Sequence, residues 1–144
     1  MATDRRADVT WQGNLMDGSG TIRSTTSGAI GEQQVTWASR SQEPGGKTSP
    51  EELIAAAHAS CFSMALAHGL AQAGNAPDEL RTSATVTFQP GEGITRIALT
   101  VEGRVPGLDE QAFRAAAEDA KANCPVSKAL ASVPEITLDA SLAS

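Results

Sequence analysis

The residues of this chain that could carry redox or nucleophilic chemistry are its two cysteines, Cys61 and Cys124. A thiolate attacks electrophilic atoms, and a second thiol can then close a disulfide. The first ten residues, MATDRRADVT, carry charges and no apolar run, so we expect no secretory signal and a cytosolic protein whose thiols are kept reduced. Cysteines in such a chain are free or pair reversibly during turnover, and the alternative is a pair of inert buried thiols.

The two thiols are expected to differ in acidity. Cys61 lies inside the segment 53–77, which contains no Asp, Glu, Lys or Arg. Burial among apolar residues raises the pKa of a thiol, so Cys61 needs a cation from another segment in order to react. The arginines that could supply it are Arg5, Arg23 and Arg40. Cys124 precedes Pro125, and if Pro125 opens a helix, backbone N–H groups there stabilise a thiolate. The residues alone therefore nominate Cys124 as the more acidic thiol.

His58, Cys61 and His68 fall on one stripe of the helix predicted around Cys61. A Cys–His nucleophile pair or a metal site would fit this spacing, but no further pair of ligands is evident, so we favour histidines of a helix interface and predict no metal. At the start of the same helix, Ser49 and Glu52 form a capping-box pattern, which leaves Glu51 available to orient an arginine.

Hydrophobic periodicity predicts an α+β fold in the order βββ-α-ββ-α-β, as a single domain over residues 1–144. Alternating strands indicate antiparallel sheets with one buried face, wrapped around the nearly charge-free helix. That helix contains too many polar residues, and lacks the basic flank, for a membrane span. The predicted strands are 6–12, 21–25, 35–40, 83–88, 96–104 and 136–142, and the helices are 50–73 and 109–124.

Charge narrows the possible partners. The formal net charge of −6 and a sequence pI near 4.8 argue against nucleic acid and anionic membrane surfaces. The missing C-x-x-C motif argues against a thioredoxin-type reductase.

Two motifs, SPEELIAAAHASCFSMAL (49–66) and NCPVSKAL (123–130), resemble those of the OsmC/Ohr family of organic hydroperoxide reductases, and are closest to its OsmC branch. The similarity extends to VTWQGNL, GSGTIRSTTSG, GITRIALTVEGRVPGLD and EITLD, and so covers nearly the whole chain. The resemblance implies an intertwined homodimer with active sites at the subunit interface. It also implies a peroxidase of oxidative and osmotic stress defence that favours organic hydroperoxides, needs no cofactor and is reduced by a dithiol such as a lipoyl group.

The resemblance assigns roles to four residues. Cys61 attacks the peroxide and becomes a sulfenic acid, which Cys124 converts to a disulfide. Arg40 matches the arginine that activates the attacking thiol, and Glu51 matches the glutamate that holds this arginine. Arg40 would stabilise first the thiolate and then the departing alkoxide. Of the apolar residues near Cys61, we expect two of three to be plain core and the third to help form an apolar entrance: Phe62, Met64 and Leu66.

Helix geometry adds a constraint to these roles. Glu51 and Cys61 are ten residues apart on one helix, which is about 15 Å along its axis. If the helix is unbroken, Glu51 cannot serve the Cys61 of its own chain directly, so either Arg40 bridges the gap or the glutamate belongs to the partner's site. We expect at least one of Arg40 and Glu51 to act across the dimer interface. Two other functions remain open from the residues: a non-enzymatic module of the same fold that binds a small apolar ligand, and a hydrolase or transferase that uses a Cys61–His58 pair.

Overall fold

The structure is a computed structural model that describes residues 1–144, and it divides into two compact units, 1–53 and 54–144. The predicted order of elements is present, with two short helices added to it. The strands and helices in chain order are β1 (Ala7–Gln12), β2 (Ser19–Thr25), β3 (Gln33–Val35), α1 (Trp37–Ser41), α2 (Pro50–Gln72), β4 (Glu79–Gln89), β5 (Gly93–Arg104), α3 (Glu110–Asn123), α4 (Pro125–Ala129) and β6 (Glu135–Leu142). That the whole chain acts as a single domain stays a prediction.

The first unit contains an antiparallel sheet in the order β1-β2-β3. Glycine is required at position 20, because a Cβ there would lie 2.7 Å from the Trp11 ring. The third predicted strand, 35–40, was wrong beyond Val35, since the chain turns into α1. A capping box explains the turn: the Thr36 side chain accepts a hydrogen bond from the Ser39 backbone, and the Ser39 hydroxyl accepts one from the Thr36 backbone.

Helix α2 begins where the sequence predicts, because the Ser49 hydroxyl accepts a hydrogen bond from the backbone N–H of Glu52. The Glu52 carboxylate does not close the predicted capping box. It accepts a hydrogen bond of 2.7 Å from the Thr48 hydroxyl instead. At the other end, Gly74 adopts a positive φ of 85° and the backbone N–H of Asn75 reaches the Leu70 carbonyl, which terminates the helix as predicted.

The second unit contains a mixed sheet in the order β4-β5-β6. Strands β4 and β5 form the expected antiparallel hairpin, but β6 pairs parallel to β5, so a purely antiparallel sheet was a wrong expectation for this strand. The reason is the connection: α3 and α4 lie between β5 and β6 in the chain, and a crossover through helices returns a strand parallel to its neighbour.

The core of the second unit lies between its sheet and the helices. Strand β5 contributes Ile97, Leu99 and Val101, the alternating residues that the sequence analysis placed on one face. From the helices come Phe62, Leu66 and Leu70 of α2, Phe113, Ala117 and Ala120 of α3, and Cys124. Burial of each large apolar side chain contributes about 1.5–3 kcal/mol to stability.

In a single chain, only one stripe of helix α2 is buried. His58, Phe62, Leu66 and Leu70 follow one another at intervals of four residues and are buried, whereas Met64 on another face is 74% exposed. Phe62 and Leu66 are therefore core residues, as expected for two of the three apolar residues near Cys61. The helix is long and apolar enough to cross a membrane by length and composition alone, but its buried stripe belongs to the core of the unit.

Gly103 of β5 lies close to the Phe113 ring of α3, and its replacement tests this packing. A Cβ at position 103 would lie 2.6 Å from two atoms of the Phe113 ring. We expect Gly103→Ala to lower the free energy of unfolding in urea by about 1–3 kcal/mol, because an overpacked core must shift. The matched control is Gly69→Ala, where a Cβ meets nothing within 4 Å. It should stabilise the protein by roughly 0.5–1 kcal/mol through helix propensity, and equal effects of the two changes would contradict the packing.

Candidate active site

Cys61 and Cys124 meet inside the second unit, 63 positions apart in the sequence, and both are free thiols. Cys124 lies at the junction of two helices: it is the C-cap of α3 and the N-cap of α4, because Pro125 suits the first position of a new helix. Of the two alternatives that Pro125 left open, the new helix is the one observed. The side chain of Cys61 on α2 is partly exposed, whereas Cys124 is 0% exposed.

The two cysteines shift each other's pKa in opposite directions. Burial raises the pKa of the Cys61 thiol, and the hydrogen bond to Cys124 raises it further, against a smaller opposing effect from the backbone N–H of Val126. Burial also acts to raise the pKa of Cys124, but the hydrogen bond from Cys61 and the polar groups of Ser127 and Val126 outweigh it and leave the pKa lowered. In one chain Cys124 is therefore the more acidic of the two thiols, which is the order that the residues alone predicted.

His58 does not form the Cys–His pair that its spacing allowed. Its Nε2 atom lies 2.7 Å from the hydroxyl of Ser127 in the first turn of α4, and its Nδ1 atom has no hydrogen-bond partner. Burial lowers the pKa of His58, so its imidazole is neutral near pH 7. No group of three His, Cys, Asp or Glu side chains is arranged to hold a metal ion. His68 is exposed and lies outside this arrangement.

Arg40 and Glu51 form an ion pair within the first unit. The guanidinium binds the carboxylate through two nitrogens, Nε to Oε1 at 3.0 Å and Nη2 to Oε2 at 2.8 Å. The side chain of Glu51 is 7% exposed and that of Arg40 is 31% exposed. A bidentate pair of this kind fixes the plane of the guanidinium. The pairing is therefore observed, but Arg40 extends from α1 and not from the end of a strand.

Arg40 also borders an apolar cavity of about 100 Å³ in the first unit. Its walls are the side chains of Trp11, Leu15, Val35, Thr36, Trp37 and Pro50. The sequence analysis did not nominate any of these residues. A signal was available, because Trp11 and Trp37 are the only tryptophans in the chain and Trp37 lies three positions before Arg40.

Comparison with known proteins decides the family. The model of the family described as OsmC-like protein matches residues 43–139, a range that contains Glu51, Cys61 and Cys124. The chain is 43% identical to peroxiredoxin OsmC of Escherichia coli over 147 aligned residues, which cover 100% of both chains, and the same values hold for peroxiredoxin OsmC of Shigella flexneri. The chain belongs to the OsmC family. The resemblance inferred from the two motifs is thereby confirmed.

Solved structures of OsmC and Ohr proteins share the fold of this OsmC-family chain. The organic hydroperoxide resistance protein OhrB of Bacillus subtilis has a TM-score of 0.65 at 24% identity, with 96% of this chain and 98% of that chain covered. An organic hydroperoxide resistance protein of Elizabethkingia anophelis has a TM-score of 0.68 at 23% identity, with 99% and 100% covered. At this identity the likeness establishes the α+β fold and nothing finer.

The opposite pKa shifts of Cys61 and Cys124 predict that the two thiols of the reduced protein lose their protons in two separate steps. One step should lie below and the other above the ordinary thiol pKa of about 8.5, because a thiol donor stabilises the first thiolate and the first charge opposes the second. The ultraviolet absorbance of thiolate across a pH series measures both steps.

Single cysteine variants are the controls for this titration. Cys61→Ala should raise the pKa of the remaining thiol above that of the first step in the wild type, because Cys124 loses its donor. A remaining thiol that titrates at or below the first wild-type step would contradict the hydrogen bond.

Proposed function

We propose that the chain reduces organic hydroperoxides, with Cys61 as the attacking thiol and Cys124 as the resolving thiol. That the chain is a cysteine-based peroxidase of stress defence follows from its full-length relationship to the proteins named peroxiredoxin OsmC. The assignment of the two roles is our own. One observation supports it above the others: Cys61 is partly exposed, as an attacking thiol must be, whereas Cys124 is fully buried.

Acidity works against this assignment in a single chain, and a cation removes the conflict. Cys124 is the more acidic thiol of the pair, whereas a thiolate at Cys61 is the nucleophile that attacks. A guanidinium beside Cys61 would move the charge to that sulfur and would then stabilise the departing alkoxide. We assign this part to Arg40, with Glu51 fixing its orientation through their bidentate ion pair.

With Cys61 attacking and Cys124 resolving, the reduction of a hydroperoxide takes two steps. The Cys61 thiolate attacks the peroxide, its S–O bond forms as the O–O bond breaks, and the alkoxide takes up a proton to leave as an alcohol. The Cys61 sulfenic acid is then attacked by Cys124, which forms the disulfide and releases water. Overall, two thiols and one hydroperoxide give one disulfide, one alcohol and one water.

The apolar cavity beside Arg40 supports an organic substrate. Two indole rings and three aliphatic side chains line most of a volume of about 100 Å³, which suits an alkyl group better than the hydrated hydrogen peroxide molecule. A non-enzymatic module that binds an apolar ligand could use the same cavity, but it would not require a pair of thiols in contact. The presence of the thiol pair in addition to the cavity therefore favours the peroxidase over the binding module.

A dithiol reductant fits the exposure of the disulfide. Only the sulfur of Cys61 can be approached from solvent, so reduction begins there with Cys124 as the leaving thiol. The lowered pKa of Cys124 makes it a good leaving group. The mixed disulfide that results on Cys61 is resolved fastest by a second thiol of the same reductant molecule, as in a lipoyl group. Such a reductant belongs to the cytosol, the compartment that we propose for this protein.

A homodimer is the assembly that we propose. Both units leave large apolar side chains in solvent, among them Val9, Trp11, Leu15, Met16, Ile30 and Met64. Several large apolar side chains left in solvent by each unit's own fold are what a subunit interface would cover. Helix α2 is continuous from Pro50 to Gln72, which is the condition under which the sequence analysis expected Arg40 or Glu51 to act on the partner's Cys61.

The catalytic roles are tested by counting thiols after mixing the reduced protein with cumene hydroperoxide. The wild type should lose two thiols to an intramolecular disulfide and turn over with dihydrolipoamide. Cys61→Ser should consume no peroxide, because Cys124 is inaccessible. Cys124→Ser should consume one equivalent and retain a sulfenic acid that dimedone traps. Consumption by Cys61→Ser at the wild-type rate would give the attacking role to Cys124, and no consumption by the wild type would exclude the peroxidase.

Mixed dimers test whether Arg40 acts across the interface. Arg40→Met and Cys61→Ser should each be inactive alone. After the two variants are unfolded together and refolded, an arrangement across the interface restores about a quarter of the wild-type activity, because half of the dimers are mixed and each of these has one complete site. An arrangement within one chain restores none. The control is the same mixture of Glu92→Gln with Cys61→Ser, in which the exposed hairpin residue Glu92 leaves the wild-type site in every subunit that retains Cys61.

A further inference from the structure

The hydrogen bond between His58 and Ser127 is a polar contact inside the core that the two-cysteine mechanism does not use. It joins α2 to the first turn of α4 at 2.7 Å, and the exposed fractions of the two residues are 0% and 8%. A buried imidazole costs free energy unless its polar atoms are satisfied, and here one nitrogen is satisfied only by this serine. The same volume could have been filled by a leucine, so the histidine calls for an explanation.

Ser127 connects this histidine to the resolving cysteine. Ser127 is the third residue of α4, the helix whose N-cap is Cys124, although the Cys124 side chain makes no capping hydrogen bond. From this position its backbone N–H and its hydroxyl act to lower the pKa of the Cys124 thiol. A serine hydroxyl has one hydrogen, so if it points this hydrogen at the sulfur, its oxygen must accept from His58.

The unpartnered nitrogen of His58 identifies the tautomer. With the proton on Nε2, the ring donates to Ser127, and the buried Nδ1 atom is an acceptor without a donor. With the proton on Nδ1, the buried N–H would have no acceptor, which is the rarer and more costly arrangement in proteins. Protonation of both nitrogens is opposed by the burial that lowers the pKa of His58. A neutral ring that donates through Nε2 is the form that this site favours.

We propose that His58 and Ser127 form a positioning relay for the resolving cysteine, in which His58 Nε2–H orients the Ser127 hydroxyl and the hydroxyl in turn stabilises the Cys124 thiolate. The proposal deepens the proposed function and rests on it. In the resolving step, the Cys124 thiolate attacks the sulfur of the Cys61 sulfenic acid, the S–S bond forms, and the S–O bond breaks. The departing hydroxide takes a proton from solvent and becomes water. The relay supplies no proton and no electron; it holds the nucleophile ionised and in place.

The relay assists the second step of the cycle and does not assist the first. Attack on the peroxide uses Cys61, which His58 does not contact through a hydrogen bond. Loss of the Ser127 hydroxyl should therefore not slow peroxide consumption in a single turnover, but it should slow disulfide formation. A hydrogen bond to a charged group is worth enough that we expect a slowing of roughly tenfold or more.

The experiment uses the full-length reduced protein mixed rapidly with one equivalent of cumene hydroperoxide. Peroxide consumption measures the first step. Dimedone added at successive times traps the surviving sulfenic acid, and intact-mass spectrometry of the adduct measures the second step. The informative pair is Ser127→Ala, which removes the hydroxyl, and Ser127→Thr, which keeps it. Ser127→Ala should prolong the sulfenic acid roughly tenfold, and Ser127→Thr should restore most of the wild-type rate.

Variants of His58 test the other member of the relay. His58→Gln retains an N–H donor near the position of Nε2 and should resolve faster than His58→Leu, which has none. His68→Leu, on the exposed part of the same helix, is the control and should behave as the wild type. If His58→Leu fails to fold, the serine pair still decides the question.

The outcomes separate the relay from the function on which it rests. A wild type that consumes no peroxide overturns the proposed peroxidase. A wild type that consumes peroxide, with Ser127→Ala forming its disulfide as fast as the wild type, overturns the relay alone. Equal slowing in Ser127→Ala and Ser127→Thr also overturns it, because the effect would then come from packing and not from the hydroxyl.

Discussion

The proposed chemistry of this protein depends on one constraint, the placement of a partly exposed thiol, Cys61, beside a buried one, Cys124. The interaction between the two raises the pKa of Cys61 and lowers that of Cys124, so the buried thiol is the more acidic of the pair. The helix junction at Pro125 creates this arrangement. By ending α3 and starting α4, it places Cys124 in the core at the N-terminus of α4, where the backbone groups of Val126 and Ser127 lower the pKa of its thiol.

The two polar pairs to which we assign roles differ in charge and burial. Arg40 and Glu51 form a charged and partly exposed pair, which suits a group that must meet a substrate. His58 and Ser127 form a neutral pair in the core, which suits a group that only positions a neighbour. A charged group at the buried position of His58 would require a partner to offset the cost of its desolvation, and a neutral imidazole avoids that cost.

The sequence predicted the fold and the thiol pair well, because both leave local signals: alternation in β5, caps at Ser49 and Gly74, and two motifs around the cysteines. It failed where the signal is short or distant. Helix α1 has five residues, too few for a hydrophobic period, and its sequence alternates like a strand. The parallel pairing of β6 depends on its crossover, and the bond between His58 and Ser127 spans 69 positions, so neither has a local pattern. Serine three residues after Cys124 was visible in the second motif, but nothing near it in the sequence indicated a histidine.

The complete burial of Cys124 also determines where damage by excess oxidant can accumulate. A sulfenic acid that meets a second peroxide before it finds its mate is oxidised further to a sulfinic acid, which thiols do not reverse. The second peroxide meets the partly exposed Cys61 and not the buried Cys124. With Cys61 as the attacking thiol, the overoxidation is therefore confined to Cys61, and Cys124 remains a thiol. Protein that has been exposed to excess peroxide should thus be irreversibly oxidised on one helix only, α2, and should keep the second cysteine of the pair reduced.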